Sequence, residues 1–243
     1  MDVVVALFRL AVATFALVGT KEIWLQGSGD DLVYFTNQAG LMLAVVMIWA
    51  AIASLGAAGV LPARLRIAQP PAWFKGAVTL FLVITGLVAY FVLAPEDPNK
   101  PATFLGLTSG QIEHQITPIA TLVDFVVLDA HRRLRWRIPA LWLTYLIAYA
   151  TFTTIRGEIL ATPDYPYPFV DLADLGWGGL VLNVAMYGVG FYVLGCVLVG
   201  IDHRMPARAL VGSAGGEPVA ADDDAGPATG GTTPPMAEPA ARQ

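Results

Sequence analysis

Six long apolar runs decide most of what this chain can fold into. They lie at about Val3–Thr20, Ala39–Leu61, Trp73–Ala94, Ile116–Leu128 (extended at both ends), Ile138–Ile155 and Gly176–Ile201. An apolar stretch of roughly 18 or more residues with few charges is long enough to cross a bilayer as a helix. Composition agrees: 14% of residues are charged and 56% hydrophobic, with a mean hydropathy of +0.62. Soluble domains carry about 25% charged residues. The expectation is an all-α, polytopic transmembrane bundle of six helices over residues 1–204, followed by a tail at 205–243.

The first run does not read as a signal peptide. Its leading region is acidic (Asp2), Arg9 interrupts its apolar core, and no small-x-small cleavage site precedes Lys21 and Glu22. It is expected to be a retained helix. The single cysteine, Cys196, lies within the last run, so it has no disulfide partner and reads as a small packing residue.

Basic residues cluster in alternate loops. Arg64, Arg66 and Lys75 lie between the second and third runs. The HRRLRWR segment, with Arg132, Arg133, Arg135 and Arg137, lies between the fourth and fifth, and Arg204 and Arg208 follow the sixth. Lys21, Lys100 and Arg156 in the other loops are diluted by acidic residues. The positive-inside rule then puts both termini in the cytoplasm of a multi-pass protein of the cell membrane. HRRLRWR reads as an anchor beside anionic headgroups, and no nucleic-acid surface is expected. The net charge of -5 comes mainly from outer loops and the tail. That tail, rich in Gly, Pro and Ala with three consecutive aspartates, is too poor in core-forming residues to pack and is expected to be disordered.

With this topology, polar residues from four segments converge on one depth of the outer leaflet. Thr36 and Asn37, in YFTNQAGLML, open the second span. His114, in QIEHQITPIATLVD, opens the fourth. The fifth ends at TTIRGE with Arg156 and Glu158, and Asn183 lies about two turns into the sixth. His114, Thr117, Thr121 and Asp124 are spaced by three, four and three, which keeps them on one helical face directed at the bundle interior. Asp124 lies about 15 Å below His114 at the helical rise. It is therefore expected to pair with a donor on another helix, such as a Tyr or Trp, in a structural or relay role. Thr36 has two readings, as a helix cap or as a reactive hydroxyl. Arg156 has two as well, as a snorkelling anchor or a ligand contact. The YPYP segment reads as a stiff connector. His131 and His203 fall on the cytoplasmic side, so no second histidine stands with His114. No HExxH, CxxC or phosphate loop occurs, and neither metal nor cofactor is expected.

Three stretches, YFTNQAGLML, EHQITPIATLVDF and TTIRGEILATPDYPYPFVD, together resemble a family of bacterial six-span proteins often labelled integral membrane regulators. That family is similar to the animal androgen-induced and androgen-dependent membrane proteins. The resemblance covers about Met1 to Arg204. In the animal relatives an intramembrane threonine and histidine are the proposed catalytic pair of a hydrolase of fatty-acid esters of hydroxy fatty acids. The resemblance implies these roles for Thr36 and His114, and membrane lipids or lipid esters as partners. Ala39 and Gly40 stand where bacterial relatives usually carry a serine and an asparagine.

The chemistry so implied has His114 as base and Thr36 as nucleophile on a lipid ester. Asn37 or Asn183 is the candidate oxyanion donor and Arg156 the candidate clamp for a substrate carboxylate. Glu158, Asp171 and Asp174 are open alternatives for orienting the imidazole. A non-enzymatic membrane regulator or lipid-binding protein is the competing expectation. A proton-coupled transporter is the third, with a path from His114 and Asp124 to Asp129.

Overall fold

In the computed structural model, residues 1–212 are described apart from Ser28, Pro98 and 161–163. The greater part of the expected tail, from Ser213 onward, lies outside the described residues, as do Ala161, Thr162 and Pro163 of the third motif. The described chain forms seven helices and no strand. They are α1 (Asp2–Gly19), a short α2 (Lys21–Gln26), α3 (Phe35–Ala57), α4 (Ala72–Phe91), α5 (residues 109–128), α6 (Ile138–Ile159) and α7 (Leu172–Arg204). All but α2 are rods that run alternately up and down, in the order the apolar runs require. Thr36 and His114 mark the upper end of the bundle, and the HRRLRWR loop marks the lower.

Five of these helices are individually long and apolar enough to cross a membrane. The sixth rod, α5, is interrupted. Its α-helical turns alternate with π turns at Ile112–Ile116 and Asp124–Leu128. Pro118 supplies a reason for the first. It has no N–H to give the carbonyl of His114 four residues back, so the ladder loosens there. The chain is thereby a multi-pass helical membrane protein by fold.

Helices α3 and α4 are central. In their most apolar windows 61% and 56% of residues are buried inside the bundle, against 17% for α6 and for α7. Small residues bring α1 against α3: Ala6, Ala13 and Ala16 on one side and Ala39, Ala44 and Ala50 on the other are all buried. At Gly40 a β-carbon would lie 2.8 Å from Thr20 Cγ2, so no larger residue fits. The outer faces of α6 and α7, with Leu141, Ile147, Val181, Met186 and Val193 exposed, remain apolar as a lipid-facing surface requires.

The lower half holds a buried ionic cluster, which corrects the expected partner of Asp124. Arg9 is wholly buried. Its Nε donates to Asp124 Oδ1 at 2.7 Å, and its Nη1 to Ser54 Oγ at 2.8 Å. Its Nη2 donates to Leu128 O at 3.1 Å and to Asp129 Oδ1 at 3.0 Å. Lys75 pairs with Asp124 Oδ2 and reaches Asp129 Oδ1 at 2.5 Å. The donors are thus two cations, one inside α1 and one at the start of α4, rather than an aromatic hydroxyl or indole. A carboxylate taken out of water needs full charge compensation, which one neutral donor does not give.

Below this cluster Asp202 fastens the lower loop to α7. Its Oδ2 accepts the N–H groups of Arg133 and Leu134, both at 2.9 Å. The segment after α7 stays on the bundle, with Leu210 and Val211 donating to Val127 O at 3.0 and 3.2 Å. The first residues of the expected tail are therefore hydrogen-bonded to the bundle.

Candidate functional site

The upper half of the bundle holds an apolar cavity of about 450 Å³ between α3, α4, α5, α6 and α7, partly open at its exposed lining residues Ile147 and Val189. Ile84, Val88, Leu146, Val184 and Phe191 are among its apolar walls. A second, more polar cavity of about 370 Å³ lies toward the upper surface, lined by Thr20, Glu22, Asp31, Asn37, Ser109 and Glu113 among others. Thr36, Leu93, His114 and Tyr167 line both. They form the partition between an oily compartment and a polar antechamber. Two segments 78 positions apart in sequence thus bring Thr36 and His114 to one wall.

Thr36 is the second residue of α3, and its side chain does not cap the helix. Two tyrosines from elsewhere serve the free N–H groups of that first turn. Tyr149 OH accepts from Phe35 N at 3.2 Å and donates to Val33 O at 2.9 Å. Tyr167 OH accepts from Thr36 N at 3.4 Å and stands 3.3 Å from Thr36 Oγ1. The reading of Thr36 as a cap is thus corrected: distant hydroxyls do the capping, because α3 begins at Phe35 and its N-cap, Tyr34, has no side-chain acceptor placed to do so.

The early position also frees the threonine hydroxyl. Among the described residues six other threonines are buried in the bundle, and all six give their hydroxyls to carbonyls of their own preceding turn. Thr20 bonds Ala16 O at 2.9 Å, Thr79 Lys75 O at 3.0 Å and Thr85 Leu82 O at 2.7 Å. Thr117 bonds Glu113 O at 3.3 Å, Thr121 Thr117 O at 2.6 Å and Thr153 Tyr149 O at 3.1 Å. This local back-bonding is the usual fate of a helical threonine. Thr36, with no helical turn behind it, escapes it.

His114 is half-buried in the first π turn, and its Nδ1 is buried without a hydrogen-bond partner among the described residues. Gly86 of α4 makes room for that turn: a β-carbon there would meet His114 O and Pro118 Cβ, both at 3.2 Å. An unpartnered imidazole nitrogen is costly unless a ligand or solvent engages it. Helical irregularities of the π type recur at functional sites because they re-aim a side chain.

The remaining sequence-derived candidates lie elsewhere. Asn37 lines the antechamber, and its Nδ2 donates to Asp31 O at 2.8 Å, holding the turn before α3. Asn183 does not line the cavity; its Nδ2 donates to Phe169 O at 3.3 Å. Arg156 is also outside the cavity lining, bonded through Nη1 to Asp164 O at 3.0 Å and paired with Asp164 Oδ2 at 3.3 Å. Glu158 accepts from Tyr165 OH at 2.8 Å, and Asp171 caps α7 through Ala173 N at 2.9 Å. Asp124 and Asp129 are held in the lower ionic cluster.

The shared-wall residue that the motifs did not single out is Tyr167. The YPYP segment carries it, and Gly157 of α6 has no room for a β-carbon because the Tyr165 ring rests there. The rings of Tyr167 and Phe169 stack at 5.1 Å and 7°. A tyrosine between two prolines was the available signal, since proline stiffens the connector that delivers it.

Fold and site together define a multi-pass helical membrane protein with a two-compartment cavity, whose shared wall carries the Thr36 hydroxyl and a histidine with an unpartnered Nδ1. Comparison with protein-family models, with curated proteins and with solved structures finds no match.

Proposed function

We propose that the protein is an intramembrane lipid-ester hydrolase in which Thr36 is the nucleophile and His114 the base, acting near the outer leaflet of the cell membrane with both termini cytoplasmic. The observation that carries this reading is the shared partition. An acyl chain in the apolar cavity and a polar alcohol portion in the antechamber leave the ester linkage between them at Thr36, His114 and Tyr167. The resemblance of the three motifs to the six-span family supports the same pair of residues.

In the reaction His114 takes the hydroxyl proton as Thr36 Oγ1 attacks the ester carbonyl carbon. The tetrahedral intermediate expels the alcohol, which leaves with the proton from His114. A water molecule, activated by the same imidazole, then releases the fatty acid and restores the threonine. The apolar walls keep bulk water from the acyl chain, while the antechamber gives water and product a polar route.

Hydrolysis of fatty-acyl esters by the detergent-purified full chain, with Thr36→Ala and His114→Ala alongside, tests the proposal. Turnover by wild type that both folded variants lack supports it. An inert wild type across simple and branched acyl esters, or variants that match its rate, removes the enzyme reading. The cavity would then belong to a lipid-binding protein.

A further inference from the structure

We propose that Tyr167 is the positioning residue of this site: its hydroxyl fixes the direction of the Thr36 O–H bond, so that the proton points away from the helix start and toward the imidazole. The inference rests on the hydrolase reading above.

Counting donors and acceptors carries it. The backbone N–H of Thr36 donates to Tyr167 OH at 3.4 Å, which occupies one lone pair of the phenol oxygen. The phenol proton then needs an acceptor, and Thr36 Oγ1 stands at 3.3 Å. With the tyrosine proton on Oγ1, the proton of Thr36 itself is directed to a third partner. His114 shares that wall and has a buried, unpartnered Nδ1. A hydroxyl that accepts one hydrogen bond and donates another is polarised in the sense its deprotonation needs. As the proton leaves for His114, negative charge grows on Oγ1, and the phenol O–H already aimed there stabilises it.

Tyr167 is itself held from several sides. Phe169 stacks on it, Tyr34 meets it edge-on at 6.1 Å, and Pro166 and Pro168 stiffen its backbone. Asn183 Nδ2 on Phe169 O secures the next turn. That places Asn183, a residue picked from sequence as an oxyanion donor, behind the tyrosine instead. The construction around Tyr167 exceeds what a helix cap needs, since Tyr149 caps the adjacent N–H with a proton spent on Val33 O.

The test compares Tyr167→Phe with Tyr145→Phe in the full chain. Both variants delete one tyrosine hydroxyl that contacts the first turns of α3. Tyr145 OH donates to Gln38 Oε1 at 2.5 Å and lies outside the cavity lining. Four quantities are read: kcat and KM on a fatty-acyl ester, the rate of covalent labelling of Thr36 by a long-chain β-lactone followed by intact mass, and the melting temperature. Misdirecting a nucleophile without removing it costs about 10- to 100-fold.

The expected result is that Tyr167→Phe lowers kcat and the labelling rate by that shared factor, with KM within about twofold. Tyr145→Phe is expected to lower only the melting temperature. Wild-type kcat and labelling in Tyr167→Phe overturn the positioning role and leave the hydrolase standing. So does a loss in Tyr167→Phe that Tyr145→Phe matches in both rate and melting temperature. Absence of both turnover and Thr36 labelling in wild type overturns the hydrolase and the positioning role together.

Discussion

Thr36 occupies the second position of its helix, and that placement decides how its hydroxyl is spent. One turn further on it would bond a carbonyl of its own helix, as the six other buried threonines do. Thr36→Val keeps the shape and β-branching and removes the hydroxyl alone. It is expected to abolish ester turnover while costing about 1 kcal/mol of stability, the worth of one ordinary hydrogen bond. A thermal melt beside a turnover assay checks both; retained turnover would place the nucleophile elsewhere. The polar run Thr36, Asn37 and Gln38 was legible as unusual at the mouth of an apolar span. Its capping tyrosines were not, because they lie 114 and 131 positions away and no local pattern encodes them. Gly40 makes a related point. A β-carbon there would sit 2.8 Å from Thr20 Cγ2. Gly40→Asn is therefore expected to destabilise by about 2 kcal/mol or more through overpacking of α1 on α3. A variant that melts with wild type would contradict this close approach.

Helix α5 shows what periodicity conveys and what it hides. The stripe of His114, Thr117, Thr121 and Asp124 told which face turns inward, and Thr117, Thr121 and Asp124 are buried as that face requires. The spacing carried no sign of the π turns that hold His114 and Asp124, although Pro118 was there to be read as a break in the ladder at His114. Nor did it name the partners of Asp124. Arg9 read as a blemish in an apolar run and Lys75 as one of the charges that set topology. Both are in fact buried countercharges, 115 and 49 positions from the carboxylate they serve. Asp124→Asn removes one anion from a cluster of two cations and two anions, leaving Arg9 and Lys75 to share Asp129. Breaking a buried ion pair from one side costs about 3–5 kcal/mol. The expected outcome is a large fall in melting temperature and in yield of monodisperse protein. The double variant Arg9→Met with Asp124→Leu, which removes a charge of each sign, should recover part of that loss. Equal melting of Asp124→Asn and wild type would mean that the cluster is not a structural lock.

At the scale of the molecule, the six apolar runs foretold the rods, while of the four polar segments only those of Thr36 and His114 brought their named residues to the cavity wall. The volume of that site was beyond the sequence, because its walls come from five helices and the Tyr167 connector, each contributing residues that look like ordinary core. The division into an apolar cavity and a polar antechamber makes a prediction about chain length. Ala150 of α6 lines the apolar compartment on a peripheral helix. Ala150→Phe grows into empty space rather than into packed neighbours, so the fold should tolerate it. Space taken from the cavity is space denied to the far end of a long acyl group. Short esters, which need only the partition residues, should lose no more than about twofold in kcat/KM, while long-chain esters lose about 10-fold, the usual reach of steric discrimination in an apolar pocket. The ratio of the two rates is the measurement, since it cancels differences in active fraction between preparations. An equal loss on short and long esters would mean that the acyl chain lies elsewhere. The cavity between α4, α6 and α7 would then be left to a lipid that binds without reacting.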